Sequence, residues 1–202
     1  MVTQPIRRYT ADEYLEMEET AEYRSEYFQG QIFAMAGATR EHGIINLNVA
    51  ALLLAQLRGG ECRPFANDMR VKITETGLYT YPDVVVVCGN QEYEGGRGTT
   101  LLNPVLIIEV LSVSMEAYER GEKFQHYRQI PTLYEYLLIS QNQQRIERYS
   151  RNPQGNWALD EVTGETGELA LHSVPARLTL EAVYDGVSRN TTEMPHRPTE
   201  PA

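Results

Sequence analysis

Two stretches of the chain have apolar residues at helical spacing. Thr10, followed three residues later by Glu13, has the pattern of a capping box and predicts a helix that ends near Glu19. A longer helix is expected from about Glu41 to Leu57, where apolar residues recur every three or four positions before a Gly-Gly pair. The first part of the chain therefore favours two helices separated by a short extended segment.

Strand patterns occupy most of the remaining sequence. Between the two helices, a hairpin with its turn at Gln29-Gly30 is predicted by EYFQGQIFAMAG. An alternating stretch, MRVKI, is expected to turn at Thr76-Gly77 towards YPDVVVVC. That run and LLNPVLIIEVL are continuous and apolar, which is typical of strands covered on both faces. Later, LYEYLLI predicts another strand, and RIERYS and WALDEV form a hairpin joined at NPQGN.

The order of these elements predicts the fold class. A third helix should begin at Ser114 and run to about Gln129, before Pro131. Helix, strands, helix and strand in that order indicate an α/β or α+β protein with a mixed central β-sheet flanked by helices. We expect one domain over residues 1–187. Residues 188–202 contain three prolines and almost nothing apolar, so we expect a disordered C-terminal tail.

Length, hydropathy and cysteine usage narrow the class of protein. The 202 residues suffice for one domain with a substantial core. The N-terminal stretch lacks the apolar run of a signal peptide, and the longest apolar runs are far too short to span a membrane. Cys62 and Cys88 lie in or beside apolar stretches without a zinc-type spacing. We interpret them as core thiols of a protein in the reducing cytoplasm.

The charge balance argues against a protein that holds nucleic acid by charge alone. The formal net charge is -10. The 18 cationic residues include only two lysines, Lys72 and Lys123, and the 28 anionic residues include only five aspartates. Because lysine and aspartate are rare in this chain, each of their positions requires an explanation.

A carboxylate interrupts each of the two most apolar strands. Asp83 lies within YPDVVVV and Glu109 within PVLIIEVL. Burial of an unpaired carboxylate costs several kcal/mol, so each requires an arginine partner, a raised pKa or a shared cation. Two carboxylates that converge at one end of a sheet suit Mg²⁺, which prefers oxygen ligands. The structural alternatives are a solvent-facing strand end for Asp83, after Pro82, and an arginine salt bridge for Glu109.

Lys123 is the candidate cation for this pair. It lies at the border of the packed face of the third predicted helix, where its ammonium could reach back over the sheet. An ammonium there could orient a water or stabilise charge on phosphate oxygens. The structural alternative is a solvated salt bridge with Glu119, four residues earlier on the same helix.

The segments YTADEYLEME, EYFQGQIFAMAG, EHGIINLNVAALL, NDMRVKI, YPDVVVV, PVLIIEVLS and GEKFQHYRQIPTLYEYLLI resemble one family as a series. It is the putative restriction-endonuclease-like domain family of the PD-(D/E)XK nuclease superfamily, and the likeness covers about residues 7–187. It implies a restriction-endonuclease-like core with the order αβββαβ, to which an N-terminal helix and hairpin and a C-terminal hairpin are added.

The resemblance also implies roles for four residues. Pro82-Asp83 matches the PD element, and Glu109 matches the acidic residue of the third strand. The resemblance thus implies that Asp83 and Glu109 bind the metal. Leu111 stands where the lysine is usual, and Lys123 matches a lysine displaced to the next helix. Glu26 matches an additional N-terminal carboxylate, although the acidic residues that usually follow are here glutamines.

The implied activity is that of a Mg²⁺- or Mn²⁺-dependent endonuclease acting on DNA, and we expect a homodimer. A locally basic rim would offset the negative charge; the candidates are Arg40, Arg70, Arg97, Arg120 and Arg128. His42 and His126 are interpreted as packing or surface residues. Two alternatives stay open: a non-catalytic protein that keeps the nuclease fold for oligomerisation or partner binding, and a hydrolase of small phosphoesters.

Overall fold

A computed structural model of the chain describes residues 7–35, 37–96, 98–112 and 115–188. Its helices are α1 (Ala11–Thr20), α2 (Arg40–Leu57), α3 (Glu116–Tyr118), α4 (Phe124–Tyr127) and α5 (Leu180–Val183), with a 3₁₀ turn at Glu94–Gly96 and a π-helical turn at Glu119–Lys123. Its strands are β1 (Ser25–Phe28), β2 (Gln31–Ala34), β3 (Cys62–Ala66), β4 (Arg70–Ile73), β5 (Leu78–Thr80), β6 (Val84–Cys88), β7 (Thr100–Leu101), β8 (Leu106–Leu111), β9 (Glu135–Ser140), β10 (Arg145–Arg151), β11 (Trp157–Thr163), β12 (Glu168–Ala170) and β13 (Arg177–Thr179).

The N-terminal helix and hairpin have the predicted form. The Thr10 side chain accepts a hydrogen bond from the Glu13 backbone N–H, and the Glu13 carboxylate accepts one from the Thr10 N–H. The turn between β1 and β2 places Gln29 and Gly30 at φ values of 47° and 83°. This left-handed conformation is one that glycine adopts without a steric penalty. The capping box and hairpin are thus confirmed.

The central layer is a six-stranded mixed sheet in the order β11-β10-β9-β8-β6-β3. Strands β8 and β9 are parallel, and the other neighbouring pairs are antiparallel. Every residue of β8 is buried, and so is every residue of β6 except the partly buried Cys88, as the continuous apolar runs predicted. The expected class, a mixed sheet flanked by helices, is confirmed.

Two features of the sheets differ from the prediction. Strand β3 was not foreseen. It contains Pro64 and forms one edge of the central sheet, where proline is tolerated because an edge strand has a neighbour on one side only. The turn at Thr76-Gly77 does not lead into the apolar run at Val84–Cys88. It pairs β4 with the short strand β5, which joins the N-terminal hairpin in a second sheet of order β2-β1-β5-β4-β7.

Different elements pack against the two faces of the central sheet. On one face, α2 packs through Ile45, Val49 and Leu53 against alternate side chains of β6 and β8. The other face meets Tyr127 of α4 and strands β4 and β5 of the second sheet. Residues at one end of β6 and β8 are therefore within reach of helices on both sides.

Helix α3, the π-helical turn and α4 form one continuous helical segment. Its predicted cap, Ser114, lies outside the described residues. Glu119, Lys123 and Tyr127 are its buried side chains, whereas Ala117 is exposed. A π turn adds one residue to a helical turn and so rotates the buried face.

Cys62 and Cys88 form a disulfide between directly opposed residues of β3 and β6. Our interpretation of them as free core thiols is therefore wrong. The two cysteines no longer support a reducing compartment. No helix in the described part of the chain is long and apolar enough to cross a membrane. Apart from Ser188, the predicted tail lies outside the described residues, so its disorder stays a prediction.

Candidate active site

Glu109 lies at the centre of the candidate site, buried on β8. Its side chain is 3% exposed. Oε1 accepts a 2.7 Å hydrogen bond from the Tyr127 hydroxyl and lies 2.9 Å from Lys123 Nζ. Oε2 accepts a longer hydrogen bond, 3.3 Å, from the backbone N–H of Asp83. Burial raises the pKa of the Glu109 carboxyl, and the Asp83 charge raises it further, against the opposing effect of Lys123.

Asp83 lies beside Glu109 at the start of the neighbouring strand. It immediately precedes β6, so it does not lie within the strand as expected. Val84 of β6 is opposite Ile108 of β8, which places Asp83 next to Glu109 in the same antiparallel register. Asp83 Oδ2 accepts a 2.7 Å hydrogen bond from the backbone N–H of Val110. Each carboxylate thus binds the backbone of the other's strand, and the structure brings the two together as predicted.

The other oxygen of Asp83 is held by α2. His42 Nε2 lies 2.7 Å from Asp83 Oδ1, and Asn46 donates a 3.3 Å hydrogen bond to the same oxygen. Burial disfavours the imidazolium, but the hydrogen bond and the charges of Asp83 and Glu109 outweigh it and raise the pKa of His42. Asp83 is not the solvent-facing strand end of the structural alternative, because its side chain is 16% exposed.

Lys123 is buried inside the protein. Its side chain is 5% exposed, and its ammonium lies 2.9 Å from Glu109 and 3.2 Å from Glu26. Burial opposes its charge, yet these carboxylates raise the pKa of Lys123 well above its usual value. The alternative of a solvated pair with Glu119 is therefore wrong.

Glu26 reaches the site from the second sheet. Besides Lys123, its carboxylate accepts a hydrogen bond from the Thr80 hydroxyl of β5 and a 3.5 Å hydrogen bond from the Tyr118 hydroxyl of α3. The packing of one sheet on the other thus brings all four predicted residues to the same place.

The sequence interpretation missed several residues of this site. His42 contacts Asp83, although we interpreted it as a packing or surface residue. The signal was the spacing of His42 and Asn46, which are four residues apart and hence lie on one face of the helix, beside the apolar positions of its packed face. His126 does behave as a packing residue, since its ring lies edge-on to Phe28 with centroids 4.7 Å apart.

Glu119 is a further carboxyl near the site, on the π-helical turn. Burial, followed by the charge of Glu109, raises the pKa of Glu119 to about 8. Its Oε2 atom is buried and accepts no hydrogen bond. At neutral pH this side chain is therefore mostly protonated, which avoids another buried negative charge beside Glu109.

The expected basic rim is only partly available. Arg70 is buried, where it donates to the hydroxyls of Thr100 and Tyr81. Arg120 pairs with Glu116 and Glu147, and Arg97 lies outside the described residues. Arg40 and Arg128 are exposed.

The chemistry of Asp83 and Glu109 fits a hard divalent cation. Among the described residues no group of three or more His, Cys, Asp or Glu side chains is arranged to hold a metal. Mg²⁺ does not need such a group, because it is usually held by one or two carboxylates, waters and substrate phosphates. Asp83 Oδ2 and Glu109 Oε2 each accept only one of the hydrogen bonds described above, so each keeps a second lone pair for a cation.

Comparison with known proteins finds a family model and two relatives that match most of the chain. A family model described as "Uma2: Putative restriction endonuclease" matches residues 11–182. Two relatives from Synechocystis sp. are similar over most of their length. "Uncharacterized protein slr1290" is 35% identical over 91% of this chain and 95% of the relative. "Uncharacterized protein sll1609" is 38% identical over 84% of this chain and 96% of the relative.

A solved structure shares the fold. It is the crystal structure of a putative nuclease belonging to DUF820 from Anabaena variabilis, which matches with a TM-score of 0.72. The match covers 88% of this chain and 98% of that chain at 18% sequence identity, so it is a likeness of fold.

Proposed function

The chain belongs to the Uma2 family of restriction-endonuclease-like proteins, and on that premise we propose that it is a metal-dependent endonuclease that hydrolyses phosphodiester bonds in DNA. The observation that carries the proposal is the buried group of Glu109, Lys123 and Glu26 beside Asp83. A buried ion pair contributes little net stability compared with apolar packing, so stability alone does not account for this group.

Asp83 and Glu109 would hold the metal, Mg²⁺ or Mn²⁺. When bound, such an ion lowers the pKa of a water and stabilises negative charge on phosphate oxygens. The two carboxylates are pre-positioned, because each accepts a backbone N–H from the other's strand. His42 and Asn46 fix Asp83 from α2, and Tyr127 fixes Glu109 from α4.

Lys123 would act on the phosphate and the attacking water. In hydrolysis the water oxygen forms a bond to phosphorus, the bond to one ester oxygen breaks, and the proton lost by the water is balanced by one taken up by the departing oxygen. In the transition state additional negative charge develops on the non-bridging oxygens. The Lys123 ammonium keeps its charge because Glu109 and Glu26 raise its pKa. Two of its three N–H donors face Glu109 and Glu26, so the third can contact a phosphate oxygen or water. In this proposal Glu26 positions Lys123 without contact with the substrate.

A direct assay tests the proposal. The protein is incubated with supercoiled plasmid in Mg²⁺, in Mn²⁺ or in EDTA, alongside the Glu109→Gln variant. We expect nicked or linear DNA with metal, none with EDTA, and loss of cutting in the variant. A labelled RNA and nitrophenyl phosphate, tested in parallel, separate the proposal from a ribonuclease and from a hydrolase of small phosphoesters. Absence of cutting with either metal would contradict it.

A homodimer belongs to the same proposal. On α2, Leu47 and Leu54 are 70% and 51% exposed. No charged residue lies between Glu41 and Arg58 in the sequence. Two copies that each carry a net charge of -10 repel one another, so an uncharged helical face is the most favourable place for them to meet. Sedimentation of Leu47→Asp against the unmodified chain tests this, with a monomeric variant as the expected result.

The alternative is a nuclease-fold protein without catalysis. Its support is the net charge of -10 and the fact that Arg70 and Arg120 are committed to partners within the protein. Such a protein has no need of a divalent metal at Asp83 and Glu109, so stabilisation by metal distinguishes the two functions.

A further inference from the structure

An aromatic side chain lies at the rim of the candidate site. Phe33 of β2 is directly opposite Glu26 of β1 in the antiparallel register. The side chains of such a pair lie on the same face of the sheet, with Cβ atoms about 4.5–5.5 Å apart. Because the Glu26 carboxylate lies 3.2 Å from Lys123 Nζ, Phe33 is next to the group of buried charges.

The two faces of this hairpin are distinguished by their contacts. Tyr27 on one face stacks with Tyr14 of α1. Phe28, on the other face with Glu26, packs against His126 of α4. Phe33 extends this second face, which is the face that carries the site.

Phe33 remains accessible, and Met35 accompanies it. Their exposed fractions are 47% and 39%. The Met35 N–H donates to the Arg24 carbonyl at 3.2 Å, so the chain is still paired there and the two side chains point the same way. By contrast, Tyr127 and Tyr136 near Glu109 are fully buried and cannot contact a ligand through their faces.

We propose that Phe33, with Met35 beside it, forms a subsite on which an unpaired base of the nucleic-acid substrate stacks while the neighbouring phosphate lies near Lys123. The inference rests on the proposed nuclease function and specifies its substrate. A base inside a duplex has both faces covered by its neighbours. A subsite of this kind therefore selects single-stranded DNA or a locally opened duplex.

The charges of the protein support the same substrate class. Binding through phosphates requires free cations, but the net charge is -10 and both lysines are ion-paired. Of the arginines expected at the rim, Arg70 and Arg120 are bound within the protein, whereas Arg40 and Arg128 are exposed. Stacking on a side chain does not depend on the charge of the protein and is tolerant of sequence. It supplies affinity where phosphate contacts are few.

The test is equilibrium binding of a labelled single-stranded oligonucleotide and of the duplex with the same sequence, by fluorescence anisotropy in EDTA and in Ca²⁺. The variants are Phe33→Ala, Phe33→Trp and a matched control, Tyr134→Ala. Tyr134 is 53% exposed and adjoins the end of β9 that pairs with Leu106, at the far end of β8 from Leu111. Plasmid cutting and sedimentation are measured on the same samples.

We expect Phe33→Ala to weaken single-strand binding by at least about fivefold, Phe33→Trp to retain it and Tyr134→Ala to leave it unchanged. Unchanged binding by Phe33→Ala, in a protein that still cuts plasmid, would overturn the subsite and leave the proposed function intact. Neither binding nor cutting by the unmodified chain would overturn both. If Phe33→Ala instead converts a dimer to a monomer, this face is an interface between copies and the subsite is overturned.

Discussion

The Lys123 ammonium lies 2.9 Å from Oε1 of Glu109, and the two side chains are 5% and 3% exposed. The superfamily that the sequence resembles usually carries its lysine two positions after the acidic residue, where this chain has Leu111. Packing of the helical segment on β8 brings Lys123, fourteen residues after Glu109, to the same carboxylate. Removal of one partner of a buried pair typically costs about 3–5 kcal/mol, so tests of this pair must monitor folding together with activity.

Lys123→Met should abolish most of the proposed activity while the protein still binds metal. Methionine fills a similar volume without charge, so turnover should fall by about a hundredfold, a typical loss for one electrostatic contributor. Metal binding should be kept or strengthened, because a positive charge beside Glu109 is removed. Plasmid cutting and metal-dependent thermal shifts, measured below the Tm of the variant, check both.

Lys72→Met is the matched control, since Lys72 pairs with Glu94 and is the other lysine of the chain. It should retain turnover. Lys123→Arg should remain impaired, because a planar guanidinium cannot occupy the place of a compact ammonium in a buried site. Full activity in both Lys123 variants would show that the ammonium has no part in the reaction.

Asp83→Asn should remove the stabilisation that a divalent metal confers. Ligands that bind the folded state raise its stability by about 2.7 kcal/mol at a hundred times the dissociation constant. Mg²⁺ or Mn²⁺ should therefore raise the Tm of the unmodified chain but not that of Asp83→Asn. The control is Asp185→Asn, which should respond as the unmodified chain does, because Asp185 is an exposed aspartate whose backbone carbonyl contacts Asn48 of α2. Absence of a shift in the unmodified chain at millimolar metal would favour the non-catalytic alternative.

Elements defined by local pattern were predictable from the sequence. The capping box at Thr10 and the turn at Gln29-Gly30 depend on a few neighbouring residues, and both are present. Strand β3 was missed because Pro64 disfavours a strand locally, and only its place at the outside of the sheet makes it acceptable. The division into two sheets depends on pairing between β1 and β5, more than fifty residues apart, which local patterns do not encode.

The sequence identified the site residues whose charged side chains stand within apolar stretches. Asp83 and Glu109 interrupt apolar stretches of the sequence, so their placement was informative. His42 was missed because its partner lies 41 residues away in sequence. The burial of Glu119 depends on the π-helical turn, and the pairing of Cys62 with Cys88 depends on the register of an unforeseen strand.

Glu119→Gln should flatten the dependence of stability on pH. The pKa of Glu119 is raised to about 8 in the folded protein from an ordinary value of 4.5. The folded state therefore keeps the proton longer than the unfolded state, and stability is lost as pH rises from about 4.5 to 8. Glutamine cannot ionise, so between these limits the variant should lose less stability than the unmodified chain, by up to a few kcal/mol.

Denaturant unfolding in EDTA, at several pH values between 5 and 9, checks this prediction. EDTA excludes any effect of a bound cation on the neighbouring carboxylates. Glu122→Gln, an exposed position on the same π-helical turn, should follow the unmodified chain. Parallel pH profiles for all three proteins would mean that Glu119 ionises normally when the protein is folded.

Reduction of the Cys62–Cys88 bond should lower the Tm without loss of the fold. The bond links residues separated by 26 positions. A loop of that size corresponds to roughly 3 kcal/mol of stabilisation in the chain-entropy account. For a domain of this length that amounts to roughly 6–12 °C in Tm. A thermal melt with and without a reductant checks this.

The double variant Cys62→Ser, Cys88→Ser should match the reduced protein and show no further response to reductant. Alkylation of the denatured, unreduced protein should label neither cysteine. Complete labelling would mean that both are thiols, and would restore the interpretation as core thiols that the structure contradicts.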